Sequence, residues 1–125
     1  MTENDISFII RGCIFQVYNN LGPGLLESVY EAALMYELKN NNLDVKNQVI
    51  LPGHYKDITL EVGYRIDILV EDLVIVEIKS LEELKKVHYK QVMTYLKLSK
   101  IKLGLLVNFN TDNIYDNIKR VVNNL

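Results

Sequence analysis

Asp67, Glu77 and Lys79 are the residues whose types and spacing could do chemistry together. They sit on two apolar runs, Tyr64 to Val70 and Leu73 to Ile78, with Glu71-Asp72 between them as a tight polar turn. That pattern reads as a β-hairpin. Side chains alternate across a strand, so Arg65 and Asp67 share one face and Glu77 and Lys79 share one face. Ile66, Ile68, Val74, Val76 and Ile78 are expected on the other. Pairing the two strands brings Asp67 beside Glu77, with Lys79 next to them. Two adjacent carboxylates each disfavour ionisation of the other. A divalent cation relieves that repulsion. Carboxylate oxygens completed by water suit Mg²⁺ or Mn²⁺. A lysine beside such an ion can position water or stabilise a negative transition state. The chemistry this set suits best is hydrolysis of a phosphodiester. On the hairpin alone, ordinary surface pairs (Asp67 with Lys79, Arg65 with Glu77) are the simpler account, and such pairs contribute little.

Two further constellations change that balance. Gly24-Leu25-Leu26-Glu27-Ser28-Val29-Tyr30 opens a helix, and Glu27 and Tyr30, three apart, lie on one face of it. Leu26, Val29 and Ala33 flank them as expected inward positions. A glutamate on a packed edge costs desolvation unless a charge meets it. Complementing the helix dipole explains Glu27 alone, but not its pairing with Tyr30 on the packed side. The third constellation is Gln91 and Tyr95 on the helix after the hairpin, with His88 one turn earlier. Gln91 can hydrogen-bond a phosphate or a metal-bound water. Tyr95 can donate to a phosphate oxygen or stack on a base. A core aromatic with its hydroxyl at the rim is the plain account of Tyr95. His88 has no partner that the sequence can place, and the helix lysines read as a solvated face.

The elements that position these groups follow from periodicity. Asp5 to Leu21 shows helical spacing, with Asn4 or Asp5 as cap. Gly22-Pro23-Gly24 breaks the chain, and a second helix runs from about Leu25 to Leu38. Val45 to Leu51 reads as a strand and Pro52-Gly53-His54 as a turn. Ile58 to Val62 resumes extended structure continuous with the Asp67 strand. After the hairpin come a lysine-rich helix from Leu84 to Leu98 and an apolar, interior strand from Leu103 to Phe109. A closing helix is expected over Ile114 to Val122. The order is α-α-β-β-β-α-β-α, an α/β fold.

The chain has 125 residues, 49% of them apolar, which bounds it to one domain with a sizeable core. No stretch is long and apolar enough to span a membrane. Met1 to Asp5 is polar and acidic, unlike the basic start of a secretory leader, and Cys13 is the single cysteine. The expectation is a cytoplasmic protein in which Cys13 is a buried structural thiol. Net charge is −2, unevenly spread. Residues 1 to 78 carry 5 basic and 12 acidic groups (−7), and residues 79 to 102 carry 7 lysines and 2 glutamates (+5). A polyanion must therefore dock on a local patch.

In these motifs the chain resembles a known family. Gly24-x-x-Glu27-x-x-Tyr30 is similar to the signature of the small bacterial and archaeal GxxExxY proteins, placed in the PD-(D/E)XK nuclease superfamily. Asp67 followed by Glu77-Ile78-Lys79 resembles that superfamily's metal-binding core. Gln91-x-x-x-Tyr95 resembles the element that follows the core in its exonuclease-like branch. Ile66 stands where the superfamily's name-giving proline would be. The resemblance implies a restriction-endonuclease-like mixed central β-sheet flanked by α-helices. It implies that Asp67 and Glu77 ligate Mg²⁺ with the carbonyl of Ile78, and that Glu27 completes the acidic cluster. Lys79 would orient the attacking water, and Gln91 and Tyr95 would shape the site. The expected activity is metal-dependent cleavage of nucleic acid, DNA ahead of RNA. The rival account is a catalytically silent nucleic-acid-binding or assembly module on the same scaffold. Ile114, Ile118, Val121 and Val122 could serve a homodimer contact or the core equally well.

Overall fold

The computed structural model describes residues 1–125, the side chains of Glu61 and Val62 excepted. The chain forms α1 (Glu3–Leu21), α2 (Glu27–Asn40), β1 (Val45–Tyr55), β2 (Ile58–Val70), β3 (Val74–Lys79), α3 (Lys86–Ser99), β4 (Leu103–Asn108), a 3-10 turn (Ile114–Asn117) and β5 (Ile118–Val122). The five strands lie in the order β1-β2-β3-β4-β5. Only β3 and β4 pair in parallel, joined across the sheet by α3; the other neighbours are antiparallel. This is the mixed sheet flanked by helices that the motifs imply.

The sheet is covered on both faces. Ile6, Ile10, Ile14 and Val17 of α1 and Tyr30, Leu34 and Leu38 of α2 pack on Ile68, Val76, Ile78, Leu105 and Val107. On the opposite face, Val92, Tyr95 and Leu96 of α3 pack on Ile66, Leu69, Ile75, Leu106 and Val121. Strands β3 and β4 are buried on both faces, which is why they read as unbroken apolar runs.

Several expectations need correction. The closing helix is not one: after the short 3-10 turn the chain runs as β5, paired with β4 from Leu103↔Val122 to Val107↔Ile118. Ile118 joins the α1–α2 core and Val121 the α3 core, on opposite faces, as three-residue spacing requires of a strand. An open β4 edge rich in unpaired backbone groups outweighs the weak helical spacing. Pro52-Gly53-His54 is no turn either. It lies within β1, where the register shifts between Leu51 and Gly53, and the chain reverses at Lys56-Asp57 instead. Proline lacks an N–H and is tolerated in an edge strand at such an irregularity. Gly63 is required beside it, since a Cβ there would stand 2.1 Å from the Leu51 carbonyl oxygen. The cap of α1 is Thr2, in a reciprocal box with Asp5, rather than Asn4 or Asp5. Leu26 (73% exposed) and Val29 face solvent rather than the core, whereas Ala33 packs against it, partly buried, beside Tyr30, Leu34 and Leu38.

Candidate metal and phosphodiester site

The site forms where β2 and β3 part. Their ladder runs from Val70↔Val74 to Ile68↔Val76 and stops there. On the other side of β2, the register with β1 passes from Asn47↔Ile68 to Val49↔Ile66, with no Gln48–Asp67 partnership, and Gln48 has φ +53°. Asp67 thus sits at a break on both sides of its strand. Its alternation breaks as well: Ile66 packs with the α3 cluster and Ile68 with the α1–α2 cluster, not on one face as expected.

Carboxylates replace the missing ladder bonds. Glu77 Oε1 accepts from the Asp67 N–H at 3.0 Å, and Asp67 Oδ2 accepts from the Ile78 N–H at 2.8 Å. Lys79 Nζ stands 4.0 Å from Glu77 Oε2. The three residues are brought together as the hairpin pattern predicts. Neither surface pair considered from sequence forms among the described residues; the lysine faces Glu77. Glu77 is 3% exposed. Burial first, and the Asp67 charge second, push its carboxyl up to about 8. Asp67 is raised as well, by burial, against the Ile78 hydrogen bond; Glu31 and Glu27 add repulsion and Lys79 attraction.

Glu27 arrives from the first turn of α2. Its Oε2 accepts from the Ser80 N–H at 3.1 Å, just past the end of β3, and the Ser80 hydroxyl donates to the Leu25 carbonyl at 2.7 Å. Gly24, at φ +92°, bends the chain into this position. Tyr30 holds the bend. Its hydroxyl donates to the Gly22 carbonyl at 2.6 Å and accepts from the Leu25 N–H at 3.1 Å, while its ring stacks on Phe109 at 4.3 Å. The Gly-x-x-Glu-x-x-Tyr spacing is therefore a loop device: glycine turns, tyrosine pins, glutamate is delivered.

Tyr95 projects from α3 into the same corner. Burial, then the Glu77 and Asp67 charges, push its hydroxyl to about 12, so it stays protonated as a donor. Gln91, one turn earlier, lines a groove with Lys79 and Tyr64. His88 has a role that the sequence did not reveal: its Nδ1 accepts from the Lys85 N–H at 2.9 Å, closing the start of α3. Cys13 is buried, and burial raises its thiol to about 11. That makes it an inert thiol, as expected.

Three contributors escaped the sequence reading. Glu31 follows Glu27 by one helical turn and accepts from Gln48 Nε2 at 2.6 Å and Asn47 Nδ2 at 3.2 Å. The four-residue spacing was the available signal. Asn108, 1% exposed, donates to the Leu81 carbonyl and accepts from the Leu81 N–H, both at 2.9 Å. It stands opposite Lys79 in the β3–β4 register and fixes the chain that leaves the site. An amide ending an apolar strand was its signal. Ser80 carried none.

Among the described residues, no group of three or more His, Cys, Asp and Glu side chains is gathered as a metal cluster. The donors that converge are Asp67 and Glu77, with Glu27 turned to Ser80. Two carboxylates completed by water is a donor set that Mg²⁺ accepts. A buried pair reluctant to ionise is one that a cation would relieve.

The chain thus presents a mixed sheet between helices, with a carboxylate pair and a lysine where two strands separate. A family model for the PD-(D/E)XK nuclease superfamily matches residues 4–121, and the chain belongs to that superfamily. Comparison with curated proteins returns no match, and neither does comparison with solved structures.

Proposed function

We propose that this protein hydrolyses phosphodiester bonds in nucleic acid, DNA ahead of RNA, with a divalent cation, Mg²⁺ or Mn²⁺, held by Asp67 and Glu77. The observation that carries the reading is the buried Glu77, raised to about 8 and bound reciprocally to Asp67, with Lys79 at 4.0 Å. Such a pair is costly to keep charged without a cation. Superfamily membership supports nuclease chemistry in general and divalent metal use in general.

When bound, the cation supplies a lowered pKa for a coordinated water and neutralises charge on the phosphorane-like transition state. The chain's own groups do the rest. Asp67 and Glu77 are held in place by the main chain before any ligand arrives. The Ile78 carbonyl is assigned as a further ligand by analogy with the superfamily core, and Glu27 acts from the α2 side. Lys79 orients the attacking water. Tyr95 donates a hydrogen bond toward the phosphate, and Gln91 contacts it from the same helix. The Gly24, Glu27, Tyr30 set supports placement with the GxxExxY proteins, and the lone buried thiol a cytoplasmic setting.

Calorimetric titration of Mn²⁺ into the wild type and Asp67→Ala, with cleavage of mixed DNA and RNA substrates in the same buffer, tests this. Binding and cleavage should disappear together in Asp67→Ala, and Lys79→Ala should lose cleavage. Full-rate cleavage by either variant would sink the proposal. A second reading, a catalytically silent binding module, draws on the missing third close carboxylate. It is favoured if nucleic acid binds and nothing is cleaved in either metal.

A further inference from the structure

A groove of about 510 Å³ runs between the β1–β2 hairpin and α3, lined by Tyr64, Lys79, Val87, His88, Lys90, Gln91 and Thr94. That volume suits one small-molecule-sized unit, such as a nucleotide. Lys79 and Gln91 lie along it, so the groove leads onto the acidic pair. Its charge is set by Lys79 and the exposed Lys90, within the stretch from 79 to 102 that carries +5 on an otherwise acidic chain. A phosphodiester backbone matches that local sign. Tyr64 stands on the hairpin side, 43% exposed, its ring edge-on to Tyr95 at 5.7 Å. Tyr95 is itself buried, so it holds the Tyr64 ring in place while leaving part of that ring in solvent.

We infer that this groove is the track of a single, unpaired strand of nucleic acid, with Tyr64 as the platform on which one base stacks. In a duplex each base is paired and covered by its neighbours, and an aromatic ring beside the backbone finds no base face. An unpaired strand offers one at every step. Gln91 and Lys90 take the phosphates that flank the stacked base. The inference deepens the proposed function, on which it rests, by naming the strand state of its substrate.

The test is fluorescence anisotropy of labelled oligo-dT and of a duplex of equal length, in EDTA and again in Ca²⁺, with Tyr64→Phe, Tyr64→Leu and Lys90→Gln. The single strand is expected to bind roughly tenfold more tightly than the duplex. Tyr64→Leu should lose roughly tenfold, while Tyr64→Phe stays within about twofold. Lys90→Gln should reduce the slope of log affinity against log salt by about 0.7. Equal or tighter duplex binding, equal behaviour of Tyr64→Leu and Tyr64→Phe, or no binding at all overturns the inference. Melting temperatures of the variants identify any that have lost the fold; if Tyr64→Leu has, the preference of the wild type for single strand over duplex and the Lys90→Gln salt slope decide. Cleavage that depends on Asp67, without a Tyr64 effect, removes the track and leaves the hydrolysis standing. Tyr64-dependent single-strand binding without cleavage in Mg²⁺ or Mn²⁺ does the reverse.

Discussion

Asp67 and Glu77 each bind the other's strand: Glu77 Oε1 takes the Asp67 N–H, and Asp67 Oδ2 takes the Ile78 N–H. One oxygen of each carboxylate is spent on the fold, and Oδ1 and Oε2 remain for chemistry. The pair is thus oriented by main chain that would otherwise lack ladder partners.

The protonation of this pair should be visible in stability. Glu77 in the folded, metal-free chain titrates near 8, far above its ordinary 4.5. A carboxyl raised on folding holds its proton in the native state while the unfolded chain has released it. Its stabilisation is therefore complete below about 4.5 and is lost as pH rises toward 8. Asp67, also raised, acts in the same direction. In EDTA the chain should be less stable at pH 8 than at pH 5 by a few kcal/mol, a fall in melting temperature of roughly 10 °C. Glu77→Gln, which keeps an acceptor for the Asp67 N–H, should flatten the dependence. Mn²⁺ should restore stability at pH 8 and release protons on binding.

Removing one oxygen from Tyr30 should disturb a site it does not enter. Tyr30→Phe keeps the Phe109 stack but strands the Gly22 carbonyl and the Leu25 N–H. Thermal melts should show a loss of about 1–2 kcal/mol. Mn²⁺ affinity should fall along with it, because Glu27 follows directly on the loosened loop. Unchanged melting would mean that water replaces the hydroxyl without consequence.

Asn108→Ala should loosen the exit of β3. Beside a nearly inaccessible Asn108, the Leu81 N–H loses its partner and the Leu81 carbonyl keeps only Asn110 Nδ2 at 3.3 Å, a loss of about 1–3 kcal/mol in chemical denaturation. Asn108→Asp accepts from the N–H but opposes the carbonyl, so it should fall between the two. If both variants melt as the wild type does, Asn108 does not hold this turn.

Gly63→Ala tests the hairpin. The added methyl meets the Leu51 carbonyl oxygen at 2.1 Å, backbone that cannot swing aside. The β1–β2 arm must shift, and with it Tyr64. Single-strand binding should drop roughly tenfold, the scale of a lost base stack, while both cores keep the chain folded at room temperature. Wild-type affinity in this variant would show that the arm position is irrelevant to the groove.

Much of the site was legible because its chemistry is local in sequence. Asp67, Glu77 and Lys79 sit on one hairpin, so period-two alternation and a short turn bring them together. Glu27 with Tyr30, and Gln91 with Tyr95, were legible as same-face helix pairs. What failed was what depends on distant partners. Ile118 to Val122 carries a spacing compatible with either helix or strand, and only the open β4 edge decides. The Ile66–Ile68 change of face needs the Asp67 carboxylate to reach Ile78, which no propensity encodes. Tyr30 read as a companion of Glu27 in the site, whereas its hydroxyl is consumed by the loop that presents Glu27. His88 looked idle because its partner is a backbone N–H, and every residue but proline offers one.

The two faces of the sheet are unequally secured. Two helices cover one; α3 alone covers the other, with the smaller cluster around Tyr95 and Leu96. Gln91 and Tyr95 ride on the thinner layer. Heating should therefore lift α3 before the rest of the molecule lets go, and amide exchange in Lys86–Ser99 should outpace that in β3 and β4. The chain would then go quiet at a temperature where its spectrum still reports a folded protein.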